Sequence, residues 1–289
     1  MKILVIGGGF IATSLVERLE IEGCEVIVYS RNFNSDIHCR QILGDIFNFD
    51  EFKRVFIHKP QVVIHTAWIT TPGIYKDDDS NFKYAEFTKK LGQFILFSDV
   101  EHLLILGTCA EYGRQSQPSL AGITLPSPLT LYAKQKNVAL ESVKSLLLES
   151  SVRFSWARVF YPYGQFQDPK RLIPKLIYSI RAREPISLAD TTSVYDWVTT
   201  RDISSAVSWI IANELPSELD IGTSYGYTNL QVLQTLERLL DASDRSTILD
   251  NHALGVSEVY VVNKNSPLLS AGWISQDTLN SGLEWVLTS

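Results

Sequence analysis

Two kinds of pattern alternate from the N-terminus onward. Short apolar runs rich in valine, isoleucine and leucine occur at Ile3 to Ile6, Glu25 to Tyr29, Val62 to His65 and Leu103 to Leu106, each bounded by turn residues. Runs without a polar face suit strands buried on both sides of a parallel sheet. Between them lie stretches of helical period: Ile11, Leu15 and Leu19 fall four apart, while Glu17, Arg18, Glu20 and Glu22 point elsewhere. Such alternation predicts an α/β fold, a doubly wound parallel sheet with right-handed crossovers. The rhythm continues through a helix over about 130–150 and a strand near Phe154 to Phe160, then loosens around Tyr161-Pro162-Tyr163-Gly164. Residues 1–160 are therefore expected to form the main domain. Residues 161–289 should form mainly a smaller C-terminal lobe, with segments interleaving back into the main sheet.

Composition narrows the function classes. A chain of 289 residues, 45% hydrophobic and 20% charged, is long enough to bury a sizeable core and ordinary enough to be soluble. Its net charge of −6 argues against nucleic acid as a partner, because a phosphate backbone needs a basic footprint. The cysteines, Cys24, Cys39 and Cys109, are odd in number and form no Cys-x-x-Cys pair, which speaks against a disulfide framework and against a metal site. No apolar run reaches the length of a membrane helix, and the first residues lead into a glycine cluster as a strand would, not as a signal peptide would. The cytoplasm is the expected compartment.

That glycine cluster is the first chemical signal. Gly7-Gly8-Gly9-Phe10-Ile11-Ala12 reads G-x-G-x-x-A between the first strand and the first helix, the context of a dinucleotide-binding Rossmann turn. Gly7 permits the tight turn, Gly9 lets a pyrophosphate approach the backbone, and Ala12 allows close helix packing. Phe10 and Ile11 open the helix whose free N–H groups favour phosphate. After the second strand, Ser30 and Arg31 stand where an acidic residue would bind a ribose 2′-hydroxyl. A hydroxyl followed by a guanidinium suits a 2′-phosphate, so NADP is preferred to NAD. Asp45 can accept from the adenine amino group, with Ile46 beside it. Ala67 and Trp68 follow the fourth strand where the cofactor backbone needs room. His65 reads as a structural histidine.

Tyr132 and Lys136 form a Tyr-x-x-x-Lys pair on one face of a helical stretch. A free tyrosine has a pKa of about 10, too high for proton exchange near neutrality, and an adjacent ammonium favours the phenolate. Lys136 can also hold the nicotinamide ribose. Thr108, just beyond the Leu103–Leu106 strand, offers a hydroxyl to a reacting carbonyl or alcohol. The three together are far more specific than the pair, which recurs by chance on surface helices.

With these residues in place, the sequence resembles the extended short-chain dehydrogenase/reductase family of nucleotide-sugar epimerases, dehydratases and reductases. The resemblance takes in the glycine loop, Asp45, His65 and Ala67, Asn81, Thr108 with Tyr112-Gly113, Pro128, Tyr132 and Lys136. It continues through Arg158 to Gly164, Tyr195-Asp196-Trp197-Val198, Arg201-Asp202, Asp220 to Thr223 and Gly272-Trp273. It implies that Thr108, Tyr132 and Lys136 are catalytic, that the substrate is a nucleotide-activated sugar, and that hydride moves at a sugar carbon, expected to be C4. Both a 4-ketoreductase and a 4-epimerase stay open, as does a non-catalytic NADP-binding regulator of the same fold.

Three departures qualify the resemblance. The glycine loop is one residue short of G-x-x-G-x-x-G and ends in Ala12. Cys109 and Ala110 stand where 4,6-dehydratases commonly carry Asp-Glu, which argues against dehydration. Tyr161 replaces a substrate-binding asparagine of many epimerases. A basic excess between Arg153 and Arg183, including Arg158, Lys170, Arg171 and Lys175, suits a diphosphate, and Arg201 is another candidate. Tyr75, Tyr161, Tyr163 and Trp197 can pack on a sugar or base. The apolar residues of 82–97 spread over a wide helical arc, and by resemblance this helix and the Tyr132 helix form a homodimer.

Overall fold

The computed structural model describes residues 1–188, 190–242, 248–250 and 257–288. The apolar runs of the first half become strands β1 (Lys2–Ile6), β2 (Glu25–Ser30), β3 (Arg40–Leu43), β4 (Val62–His65), β5 (His102–Thr108) and β6 (Arg153–Val159). The second half adds β7 (Tyr161–Tyr163), β8 (Ile186–Leu188), β9 (Val194–Tyr195), β10 (Trp197–Thr199), β11 (Glu218–Ile221), β12 (Tyr227–Thr228), β13 (Ile248–Asp250) and β14 (Val259–Tyr260). The helices are α1 (Phe10–Ile21), α2 (Phe49–Phe52), α3 (Ser80–Ile95), α4 (Leu131–Leu147), α5 (Leu172–Ala182), α6 (Thr200–Ala212), α7 (Asn229–Leu239), α8 (Pro267–Ser270) and α9 (Leu279–Leu287).

One parallel sheet carries the strand order β11-β6-β5-β4-β1-β2-β3. From β1 the chain runs outward through β2 and β3, then crosses back to β4. This reversal opens a crevice beyond the carboxyl ends of β1 and β4, where α/β sheets bind ligands. The expected doubly wound Rossmann architecture is what forms. Alternate strand residues feed two cores: Ile3 and Val5 pack toward α1 and α6, Leu4 and Ile6 toward α3 and α4. Both faces are covered, which is why these strands read as unbroken apolar runs.

The helices show where local pattern and tertiary fit diverge. In α3, Phe87, Leu91 and Ile95 are buried, but Phe82 is 52% exposed, and Phe97, beyond the helix end, is 92% exposed. A third core gathers α5, α7 and α9 with β7 and β10. Its strand pairs are short and distant in sequence: β7 with β10, β9 between β12 and β14, and β8 with β13. From the same half of the chain, α6 packs on α1 and β11 completes the sheet beside β6.

Candidate active site

The crevice at the strand reversal is built by missing side chains. Gly7 has φ +112°, and a Cβ there would stand 2.5 Å from Thr66 Oγ1 and 2.9 Å from the Ala67 nitrogen, so glycine alone fits. α1 starts at Phe10 with Gly9 before it, no side-chain cap and no acid in its first turn. Its N–H groups and positive dipole end are left for an anion. A cavity of about 310 Å³ runs from this loop along β2 and β4. It is lined by Gly7, Gly9, Phe10, Ile11, Ala12, Ser30, Arg31, Ile46, Ala67 and Trp68, all candidates from the sequence, and also by Tyr29, Asn32, Thr66, Thr70 and Tyr84. Among the described residues no carboxylate belongs to that lining. Asp45 lies outside it, exposed, and accepts the Phe47 N–H at 3.0 Å. Ser30 donates to the Asn32 carbonyl at 2.7 Å, leaving Arg31 exposed at the rim. Glycine loop, free helix terminus and acid-free rim fit a dinucleotide. Among the described residues no group of His, Cys, Asp and Glu could hold a metal ion.

At the adjoining end of β5, Thr108 caps a single 3₁₀ turn, Cys109–Tyr112. Its hydroxyl accepts the Ala110 N–H, and Glu111 returns the bond to the Thr108 N–H at 2.8 Å. Thr130 caps α4, which places Tyr132 in the first turn and Lys136 one turn later. The Tyr132 ring meets Tyr75 edge-on at 5.0 Å. Burial raises the Tyr132 phenol, and a hydrogen bond with the Thr108 side chain opposes the rise. Lys136 is buried, donates to the Leu106 carbonyl at 2.6 Å, and lies 4.1 Å from the Trp68 ring centroid. Burial pulls its ammonium down to about 7, with Glu111 opposing. The three sequence candidates thus share one end of the crevice, as a hydroxyl, a neutral phenol and a buried amine.

Asn81, on the first turn of α3, braces this end. Its side chain accepts from Trp68 Nε1 at 2.7 Å and donates to the Tyr75 and Asp78 carbonyls. His65 is buried against Thr88 at 3.0 Å, and burial lowers it to about 3, so its role is structural. Burial also pushes the Cys109 thiol up, with Glu111, Asp220 and Asp196 adding to the rise. Such a thiol carries no proton traffic near neutrality.

On the far side stands an aromatic wall. Tyr161 lies 4.5 Å from Tyr195 and 5.7 Å from Tyr260, and Tyr195 and Tyr260 stack at 5.6 Å. Tyr163 and Trp197 are buried in the C-terminal core, where Trp197, paired with Tyr161 across β7 and β10, backs this wall at 5.6 Å from Tyr161 and 6.2 Å from Tyr195. Arg158 is no diphosphate ligand. It is 1% exposed and paired with Glu111 at 2.7 Å and Glu218 at 2.8 Å. Arg201 is engaged by Asp277 at 2.6 Å and lies over the Trp285 ring at 4.3 Å, and Lys175 is on the exposed side of α5. Arg171, undistinguished within the basic stretch, is the cation that reaches this region: it bonds the Thr70 carbonyl and covers the Tyr75 ring at 5.3 Å. Tyr260 gave no signal in the sequence and Tyr195 entered only as part of a family landmark, because the pairing of β9 with β14 is what sets them together beside Tyr161.

This fold has counterparts among known proteins. The model of the NAD dependent epimerase/dehydratase family matches residues 3–222. The chain belongs to that family. Among curated members, the UDP-glucose 4-epimerase of Lacticaseibacillus casei is 23% identical over 274 residues, covering 83% of this chain and 81% of its own. Solved structures with the same fold include a UDP-glucose 4-epimerase from Thermotoga maritima with UDP-glucose, at TM-score 0.85 and 20% identity. That match covers 100% of this chain and 98% of the epimerase. A UDP-glucuronic acid 4-epimerase from Bacillus cereus, in complex with UDP-glucuronic acid and NAD, aligns at TM-score 0.83 and 21% identity over 100% and 98% of the two chains. A dTDP-glucose 4,6-dehydratase from Bacillus anthracis in complex with NAD also gives 0.83 and 21%, over 100% and 96%.

Proposed function

We propose that this family member is a nicotinamide-dependent oxidoreductase of nucleotide-activated sugars, working at sugar C4 as an epimerase or a 4-ketoreductase. The observation that carries the reading is the Thr108 hydroxyl at the end of β5 close to the Tyr132 phenol, with Lys136 one turn along α4, beside a glycine-rich crevice whose described lining holds no carboxylate. The similar proteins with UDP-sugars and NAD in their names support the substrate class. A bound nicotinamide supplies the hydride acceptor or donor. Tyr132 exchanges the proton of the sugar oxygen, and Thr108 holds that oxygen. Lys136, freed from the Leu106 carbonyl, bonds ribose and steadies the phenolate. Dehydration is disfavoured, since Cys109 and Ala110 supply neither acid nor base.

The rim formed by Ser30 and Arg31 favours NADP over NAD, because a guanidinium without a neighbouring carboxylate attracts a 2′-phosphate. Tyr75, Tyr161 and Arg171 are the substrate contacts this reading selects; Arg201, tied to Asp277, and Lys175, on the exposed side of α5, are not retained. Residues from about 161 onward serve mainly as the substrate lobe, with α6 and β11 given back to the main sheet. The exposed Phe82, Phe97, Val138 and Leu148 support pairing of two copies through α3 and α4. No helix among the described residues is long and apolar enough to cross a membrane.

Incubating the protein with either cofactor and a panel of UDP- and dTDP-sugars tests the reading. A 4-epimer formed without net reduced nicotinamide marks the epimerase. Stoichiometric consumption of NADPH with a 4-keto-sugar marks the reductase. Tight cofactor binding with no turnover on any sugar would leave the non-catalytic regulator.

A further inference from the structure

Behind the Thr108 turn lies a buried carboxylate that no step above uses. Glu111 is fully buried. Its Oε1 accepts the Thr108 backbone N–H at 2.8 Å and Trp156 Nε1–H at 3.2 Å, and its Oε2 accepts Trp156 Nε1–H at 3.1 Å and Arg158 Nε–H at 2.7 Å. Burial raises the Glu111 carboxyl, and Arg158, the Thr108 N–H and Lys136 oppose the rise. All of its hydrogen-bond partners can only donate, so the geometry favours the carboxylate, since a proton on Glu111 would have nothing to bond. The indole that bonds it also faces Lys136, whose Nζ is 5.8 Å from the Trp156 ring centroid. Gly107 makes the approach possible: a Cβ there would stand 2.2 Å from Trp156 Nε1 and 2.8 Å from Glu111 Oε1. The carboxylate therefore presses against β5 between Leu106, whose carbonyl accepts the Lys136 Nζ–H, and Thr108.

We propose that Glu111 is a positioning residue for the reaction, fixing the Thr108 turn through its backbone N–H and standing behind the Trp156 indole as the buried counter-charge to Lys136. The inference rests on the roles given above to Thr108, Tyr132 and Lys136. Burial disfavours charge on Lys136, and Glu111 is the group that opposes it. The other titratable groups near Lys136 do not replace it. His65 on β4 is neutral, because burial and then Lys136 lower its pKa, and Tyr132 is a neutral phenol. Facing Glu111 itself are Arg158 from β6, Asp220 from β11, and Cys109 and Tyr112 of its own turn. Arg158 passes outward to Glu218, which Lys144 neutralises at 2.5 Å, so the chain of charge ends at the surface.

The test is the Lys136 titration followed by NMR in cofactor-free protein labelled with ¹³Cε-lysine, the resonance being assigned by its loss in Lys136→Met. Glu111→Gln should lower the midpoint by about one pH unit or more, a tenfold loss of proton affinity, and the alkaline limb of kcat should move down with it. Glu111→Asp should restore most of the shift. Glu218→Gln, at the outer end, should leave both readings where they are. If Glu111→Gln does not fold, Glu111→Leu combined with Arg158→Met leaves no buried charge unpaired on that side and should show the same fall. A native spectrum with an unmoved midpoint in either variant overturns the positioning role. Unchanged turnover in Tyr132→Phe would instead overturn the underlying site, and the NMR result would stand apart from it.

Discussion

The two walls of the crevice are made by opposite means. The wall proposed for the cofactor consists of backbone and small residues, where Gly7, Gly9, Ala12 and Ala67 work by what they lack. The wall proposed for the substrate consists of large side chains, Tyr75, Tyr132, Tyr161, Tyr195 and Tyr260, with Arg171 laid over one of them. Adding an atom should therefore damage the first wall, and removing one should damage the second. The proposed chemistry belongs to the seam between them.

The sharpest effect is expected at that seam. Tyr132→Phe deletes the proton carrier and should cut kcat by roughly 10³-fold, with cofactor affinity by calorimetry nearly unchanged. Next comes Gly7→Ala on the cofactor wall. A φ of +112° and a 2.5 Å approach to Thr66 Oγ1 leave no room for the methyl, so cofactor Kd should rise by about 100-fold, roughly 2.7 kcal/mol. Turnover at saturating cofactor should suffer far less, and an equal loss in both would show that the loop does more than bind. Arg31→Ala should weaken NADP by about tenfold and NAD little, which is the scale of one charge-assisted contact. Equal weakening of both cofactors would remove the argument for NADP. On the opposite wall, Arg171→Ala should raise the sugar-nucleotide KM several-fold. Arg201→Ala should leave KM alone and lower the melting temperature slightly, since the exposed Arg201–Asp277 pair is worth about 1 kcal/mol or less.

A smaller effect tests the sheet beneath both walls. Burial, first, and Lys136 lower His65 to about 3; burial and Arg153 do the same to His102. Above the unfolded value of about 6.5 both rings are neutral in either state, so their contribution is intact. As pH falls from there toward 3, the unfolded chain takes up protons that the fold refuses, and stability drops. Between pH 7 and 5 the melting temperature should fall by about 5 °C, and His102→Gln should flatten that dependence.

The same contrast explains what could be read in advance. β1, β2, β4 and β5 are buried on both faces and bounded by turns, so their local pattern already states their environment, and the glycine loop announces itself by composition. Thr108, Tyr132 and Lys136 were legible because the helix period and the strand end fix their placement without knowledge of the lobe. The substrate wall was not. Tyr260 sits on a two-residue strand whose position depends on pairing with β9, which is far away in sequence. Arg158 looked like one more cation in a basic stretch, and only the register of β6 beside β5 and β11 turns it inward to Glu111 and Glu218. Glu111 gave no signal either, because a single glutamate in a turn is ordinarily solvated.

The most direct measurement follows hydrogen at C4. Protein carrying oxidised cofactor is mixed with a UDP-sugar deuterated at C4, and the cofactor is extracted and weighed by mass spectrometry. The account predicts deuterium on the nicotinamide of the wild-type protein and none with Tyr132→Phe. Turnover of the sugar with the C4 label lost to water, and no label on reduced nicotinamide at any time, would contradict it.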